Sequence, residues 1–239
     1  MKVVDRVALW NQRLRLRSLQ NRYYRGTAAD AGATAVDYLA TLDSAREIWL
    51  RATDRVAQRH VSVHLGAGDH HLRDWINVDL LPGAADVLAD FTAPLPFRTA
   101  SIDLLHSEDL LEHLDEKSGK HFLAECHRVL RPRGVMRLLT PDLRALVERV
   151  YLQREPRHLA WCDAHLSAAG PCEALNMHLR MNGDHRFVYD EEHLSETLTA
   201  IGFRVRRVRH NWSTVRELRY LDLRDFGLNL FLEAAKADV

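Results

Sequence analysis

The sequence has no excess of charge of either sign: 33 Lys and Arg stand against 33 Asp and Glu among its 239 residues. It therefore lacks the global basic balance that marks many nucleic-acid binders. Cysteine is scarce. Cys126, Cys162 and Cys172 are the only three, an odd number with no C-x-x-C pair. That argues against a disulfide framework or a structural zinc site, and a reducing, cytoplasmic setting is expected. No apolar run approaches the roughly 20 residues that span a bilayer. Met1 to Arg6 lack the continuous apolar stretch of a secretory signal. Internal repeats and low-complexity segments are also missing. What remains is core material: 46% hydrophobic and 28% charged residues fit a domain of ordinary enzyme size, not a disordered or fibrous chain.

Residues 1–60 read as a helical cap or lid that is cationic at its start. Between Met1 and Arg25, Asp5 is the single acid against a series of Lys and Arg, and Val3, Val4, Val7, Leu9, Trp10 and Leu14 recur at helical spacing. A break at 26–34 precedes a second amphipathic run from Tyr38 to Val56. From His60 onward strands and helices alternate. Strands are predicted at 61–65, 76–80, 86–90, 101–106 and 135–139. Asp115 is positioned to cap a helix whose stripe is Phe122, Leu123, Cys126, Val129 and Leu130. Leu143, Leu146, Val147 and Val150 mark another helix, and a third runs from about Asp190 to Ala200 and ends at Gly202. Two last strands, 203–209 and 228–234, are joined by an irregular stretch without a crossover helix. This is an α/β pattern: about seven strands, mostly parallel, covered on both faces.

The first strand closes at Gly66-Ala67-Gly68, where the missing Cβ atoms let the backbone turn sharply and approach a ligand. In an open α/β sheet such a corner lies at the carboxyl end of a strand, where ligands bind. Asp79 ends the next strand, where a carboxylate can accept hydrogen bonds from both hydroxyls of a ribose.

Taken in order, these segments resemble the class I S-adenosylmethionine-dependent methyltransferases. The resemblance is carried by Val63-His64-Leu65-Gly66-Ala67-Gly68, Asn77-Val78-Asp79, Ala89-Asp90-Phe91 and Leu95-Pro96-Phe97 before Ile102-Asp103-Leu104. It continues through Leu110-Leu111-Glu112-His113-Leu114 and Glu125 to Gly134, and more loosely through Phe187-Val188-Tyr189 and Ile201-Gly202-Phe203. It implies a Rossmann-like three-layer sandwich over 61–239, with an acceptor-side insertion at about 153–188. S-adenosylmethionine would be the cofactor and S-adenosylhomocysteine the product. Gly66, Ala67 and Gly68 would pass under its methionine part, and Asp79, followed by Leu80, would hold the ribose. Asp90 and Phe91 would flank the adenine, while His106, Ser107 and Glu108 would lie near the transferable methyl. One departure is plain: only Asp69 to Asp74 separate the corner from Trp75, too few for a crossover helix. This compact form resembles a subset of the family associated with polysaccharide and glycolipid assembly. Position 71 is His, so the full dinucleotide fingerprint for NAD is absent.

A sugar hydroxyl is a poor nucleophile and benefits from a base within reach, a task suited to histidine. By resemblance the candidates are His185 in the loop that closes over the acceptor and His113 in the Leu-Glu-His-Leu element, with Tyr189 and Asp142 orienting a hydroxyl. His70, His71 and His178 read as surface or lid residues. Asp69, Asp142, Asp184 and His185 could ligate a divalent cation, but they show no tight ligand spacing and read as solvated loop residues, so no metal site is assigned. The arginines from Phe203 to Arg224 read as charge protecting an edge strand. The expected function is O-methylation of a saccharide or another small-molecule hydroxyl, with no membrane span, a homodimer as one option, and nucleic acid disfavoured as a partner. N- or carboxyl-methylation of a natural product or peptide is the alternative, followed by RNA methylation.

Overall fold

The computed structural model describes residues 60–81 and 83–238. The helical cap expected over 1–60 lies, apart from His60, outside the described residues. Seven strands form one sheet: β1 (Ser62–Leu65), β2 (Ile76–Asp79), β3 (Val87–Leu88), β4 (Ile102–Glu108), β5 (Leu130–Pro141), β6 (Phe203–Arg207) and β7 (Asn229–Lys236). Their order is β3-β2-β1-β4-β5-β7-β6. The first five run parallel, and β7 is antiparallel to both of its neighbours. The helices are α1 (Glu116–Val129), α2 (Leu143–Ala145) with its π-helical continuation Leu146–Leu152, α3 (Pro156–Leu166), α4 (Pro171–Arg180) and α5 (Glu191–Ile201).

Local chemistry sets these elements. The Asp115 carboxylate accepts from the Ser118 amide at 2.8 Å and starts α1, as the sequence predicts. Phe122, Leu123, Cys126 and Val129 then bury one stripe of that helix against Val63, Leu65 and Leu105 of the sheet, with Leu194 and Leu198 of α5 in the same core. Asp190 caps α5 through the His193 amide, and Gly202 ends it at φ +112°. β5 starts earlier than expected. Leu130 already pairs with Ile102, the chain turns through Arg133 at φ +66°, and Val135 resumes the ladder opposite Leu104. Residues 131–134 are thus a bulge within one strand.

Residues 66–75 contain no helix, which resolves the short crossover. Asn77, fully buried in β2, replaces the hydrogen bonds a helix would have made internally. Its Oδ1 accepts from the Leu72 amide (2.9 Å), and its Nδ2 donates to the carbonyls of Leu72 (3.0 Å) and Trp75 (3.1 Å). The sheet face left without that helix is covered by Leu72, Trp75 and Leu104 together with Leu218, Val215 and Leu221 from the irregular β6–β7 connection. Arg137 of β5, wholly buried, anchors that connection. Its guanidinium donates to both oxygens of Asp222, to Glu233, and to the carbonyls of Arg209 and Trp212.

Candidate functional site

The glycine corner and the strand-end acid meet as the spacing predicts. Gly66, at φ +75°, donates its amide to Val78 O at 2.9 Å, and Ala67 donates to the same carbonyl at 3.1 Å. A Cβ on Gly66 would stand 3.0 Å from Leu110 Cβ, whereas one on Gly68 would meet nothing within 4 Å. The corner is therefore packed on one side and open on the other. Gly68 N donates to Asp79 Oδ2 (2.8 Å) and Leu81 N to Asp79 Oδ1 (2.9 Å). These amides aim the carboxylate and use one lone pair on each oxygen, which leaves acceptor capacity for two hydroxyls. Leu80 beside it is exposed.

The other residues expected near the cofactor have these surroundings. Asp90 is buried, with Oδ1 accepting from the amide (2.8 Å) and hydroxyl (2.7 Å) of Thr92. The Phe91 ring packs edge-on to Phe122 at 5.7 Å in the main core. His106, Ser107 and Glu108 are the last residues of β4, not the loop after it. His106 faces His64 (5.2 Å between rings) and Trp75 (6.3 Å). Glu108 accepts from the amides of Leu223 and Arg224, each at 3.0 Å, and so fastens the β6–β7 connection. Strand alternation turns both side chains toward that covered face.

Beyond the ends of β4 and β5 lies a cavity of about 210 Å³, lined among others by Glu112, His113, His178, His185, Arg224 and Asn229. It adjoins the corner, because Leu110, which packs on Gly66, leads directly into Glu112 and His113. The two candidate histidines meet here: their rings are 5.0 Å apart and nearly perpendicular. His113 Nδ1 lies 3.1 Å from Asp184 O and His185 Nδ1 lies 2.6 Å from His178 O. A carbonyl can only accept, so both Nδ1 atoms carry the proton and both Nε2 atoms are left as acceptors. Burial holds the His185 pKa below the ordinary histidine range, which keeps that imidazole neutral.

Glu112 is fully buried. Its Oε2 accepts from Thr140 Oγ1 at 3.0 Å, while Oε1 has no hydrogen-bond partner, and neither has Asn229 Oδ1. Burial, and then the nearby Asp109, push the Glu112 pKa up. Arg224 pairs with Asp109 at the same wall.

Tyr189 is not part of this cavity. It is 1% exposed, belongs to the main core, and its hydroxyl would stand 2.5 Å from a Cβ placed on Gly119. Burial pushes its pKa to about 12, so the phenol stays protonated within that core. Asp142 caps α2 through the amides of Arg144 and Ala145. Among the described residues, Asp69, Asp142, Asp184 and His185 do not form a metal-competent group. The metal-competent cluster among the described residues is Glu112, His113 and His185. Sequence reasoning missed Glu112 as a functional residue and read His178 as surface, although it is buried, stacks on Trp161 and sits 3.4 Å from Cys162 Sγ. The available signal was the Glu-His pair inside Leu110-Leu111-Glu112-His113-Leu114. Nothing in the spacing signalled Asn229. Arginines 206, 207 and 224 are bound in ion pairs with Glu233, with Asp142 and Glu191, and with Asp109.

This strand order, with a glycine corner after β1 and a carboxylate ending β2, defines a Rossmann-like cofactor-binding enzyme fold. A family model described as Methyltransferase domain matches residues 17–138, about half of the 239 residues, and the chain belongs to that family, the class I S-adenosylmethionine-dependent methyltransferases. No curated protein matches the sequence. Among solved structures, the chain is similar to the CurJ carbon methyltransferase (16% identity, TM-score 0.43, 75% of this chain and 49% of that one). It is also similar to the CMeT domain of the citrinin polyketide synthase (12%, 0.46, 75% and 47%). A third is a possible histamine N-methyltransferase from Thermotoga maritima (14%, 0.46, 85% and 96%). The chain spans about half the length of the first two.

Proposed function

We propose that this protein methylates a hydroxyl of a saccharide or glycosylated intermediate, using S-adenosylmethionine held at the Gly66–Gly68 corner. The residues fit that cofactor: Gly66 makes room under Leu110, Gly68 opens outward, and Asp79 is aimed by two amides and keeps acceptor capacity for a ribose. The chemistry the bound cofactor supplies is a methyl group activated by a sulfonium. The chain supplies alignment and a destination for the hydroxyl hydrogen.

The observation that carries the acceptor class is the wall of the adjoining cavity. Glu112 Oε1 and Asn229 Oδ1 are buried polar atoms without a hydrogen-bond partner among the described residues, and the Nε2 atoms of His113 and His185 are left over once each Nδ1 is bound. A polyol brings hydroxyls, each both donor and acceptor, that match them, and a buried polar group left unmatched costs about 1–3 kcal/mol. A neutral His113 or His185 accepts the hydrogen bond of the reacting hydroxyl and so raises its nucleophilicity.

A methyl-labelled cofactor assayed against sugars, sugar phosphates and oligosaccharides, with amines and carboxylates in parallel, tests this reading. Label in an alkali-stable sugar ether is the expected product. Label confined to amine or carboxylate acceptors overturns it.

A further inference from the structure

We infer that Glu112, His113 and His185 form a binding site for one borderline divalent metal ion of the zinc class. This inference rests on the reading of the cavity as the acceptor site and deepens it: with the ion bound, the two histidine Nε2 atoms are its ligands, and the ion in place of an imidazole holds the acceptor hydroxyl. One donor atom from each of the three residues lies within 4.8 Å of the others. An ion at the centre of such a triangle would be about 2.8 Å from each atom, so a side-chain movement of under ~1 Å brings all three to ordinary metal–ligand distance.

Three observations separate this cluster from a chance gathering of polar groups. Both imidazoles are held by their Nδ1–H on backbone carbonyls, Asp184 O and His178 O. That outer-shell hydrogen bond fixes the tautomer and presents Nε2 as the ligand in metal-binding histidines. The carboxylate is fully buried and half satisfied: Thr140 takes Oε2, and Oε1 has no partner. A buried carboxylate oxygen without a donor requires a proton or a cation. Arg224, the nearest cation on this wall, is committed to Asp109.

The donor set is two nitrogens and one oxygen. Imidazole suits zinc, copper, iron or nickel, whereas magnesium, calcium and manganese prefer oxygen ligands. Three protein ligands leave a coordination position open toward the cavity. There a hydroxyl oxygen of the acceptor can bind, with Asn229 Oδ1 on the same wall ready to accept its hydrogen.

The test uses the full chain stripped of metal with a chelator, with no cofactor or acceptor present. Equilibrium dialysis against ZnCl2, together with the visible spectrum of the Co(II)-loaded protein, reads the site directly. The expected result is one ion per chain, and a Co(II) d–d band that vanishes in His185→Ala and in Glu112→Gln. Each variant should weaken binding by about tenfold or more. Glu112→Gln keeps the side chain's shape and its Thr140 contact, so it guards against simple unfolding, which circular dichroism checks. His165→Ala, at a histidine packed on Trp161 outside the cluster, should leave binding unchanged. Failure to bind one ion, or binding indifferent to both cluster variants, overturns the inference. Because no methyl transfer is measured, that failure leaves the acceptor reading standing, while an ion bound without any saccharide methylation removes the acceptor reading alone.

Discussion

Asp79 does its work through two amides that hold it still. With Gly68 N and Leu81 N each donating to one oxygen, its carboxylate is pre-oriented toward the open side of the corner. Asp79→Ala should therefore weaken S-adenosylmethionine binding by about 1–3 kcal/mol, the loss expected when buried hydrogen-bonded groups are deprived of a partner. Titration calorimetry with the cofactor and with its demethylated product reads this directly. A change below a few tenths of a kcal/mol would remove Asp79 from the ribose. His185 behaves differently. Its ring lies in the cavity beside His113, so His185→Gln should lower turnover by roughly 10²–10⁴-fold and leave cofactor affinity within twofold of the parent. A parallel loss of cofactor affinity would place His185 at the other end of the site.

At the scale of elements, the β1–β2 connection shows how a parallel crossover persists without its helix. The backbone groups that a helix would pair internally are paired by the single side chain of Asn77. Asn77→Ala strands the Leu72 amide and two carbonyls, and should cost on the order of 1–3 kcal/mol. The check is twofold: a lower urea midpoint, and faster hydrogen exchange at the Leu72 amide than at Phe122 in α1. The β6–β7 connection depends in the same way on Arg137. Arg137→Met leaves Asp222 buried without its cation, while Glu233 keeps Arg206, and breaking such a pair from one side typically costs about 3–5 kcal/mol. Chemical denaturation should show that loss, and replacing Asp222 by Asn in the same chain should recover part of it.

For the molecule as a whole, the buried histidines set the response to acid. Burial first, and the neighbouring His106 second, lower the His64 pKa from 6.5 to about 4. Between those values the unfolded chain binds the proton and the folded chain does not. Stability is thus full above about pH 6.5 and falls as pH drops toward 4, by on the order of 3 kcal/mol from this one group. Urea unfolding at pH 7 and pH 4.5 should show the decline, and His64→Gln, which cannot take up that proton, should flatten it. An unchanged slope in the variant would assign the acid sensitivity to other groups.

The alternation of short β-rich runs with capped amphipathic stretches was enough to give seven strands, the helix capped by Asp115 and the helix closed by Gly202. Each depends on interactions within a few residues, and local spacing records those. The corner at Gly66–Gly68 and the acid at Asp79 were legible for the same reason: they end two consecutive strands that pair directly. The cavity wall was not. Glu112 and Asn229 lie far apart in the chain and meet only because β7 inserts antiparallel beside β5. The ring of Phe91, the hydroxyl of Tyr189 and the side chain of Glu108 have ordinary site chemistry. Only packing decided that the first two fill the core and the third fastens a loop. Sequence periodicity states that a residue faces inward or outward; the tertiary structure decides which distant residue it meets, because that depends on strand order and on long connections whose path no local pattern encodes.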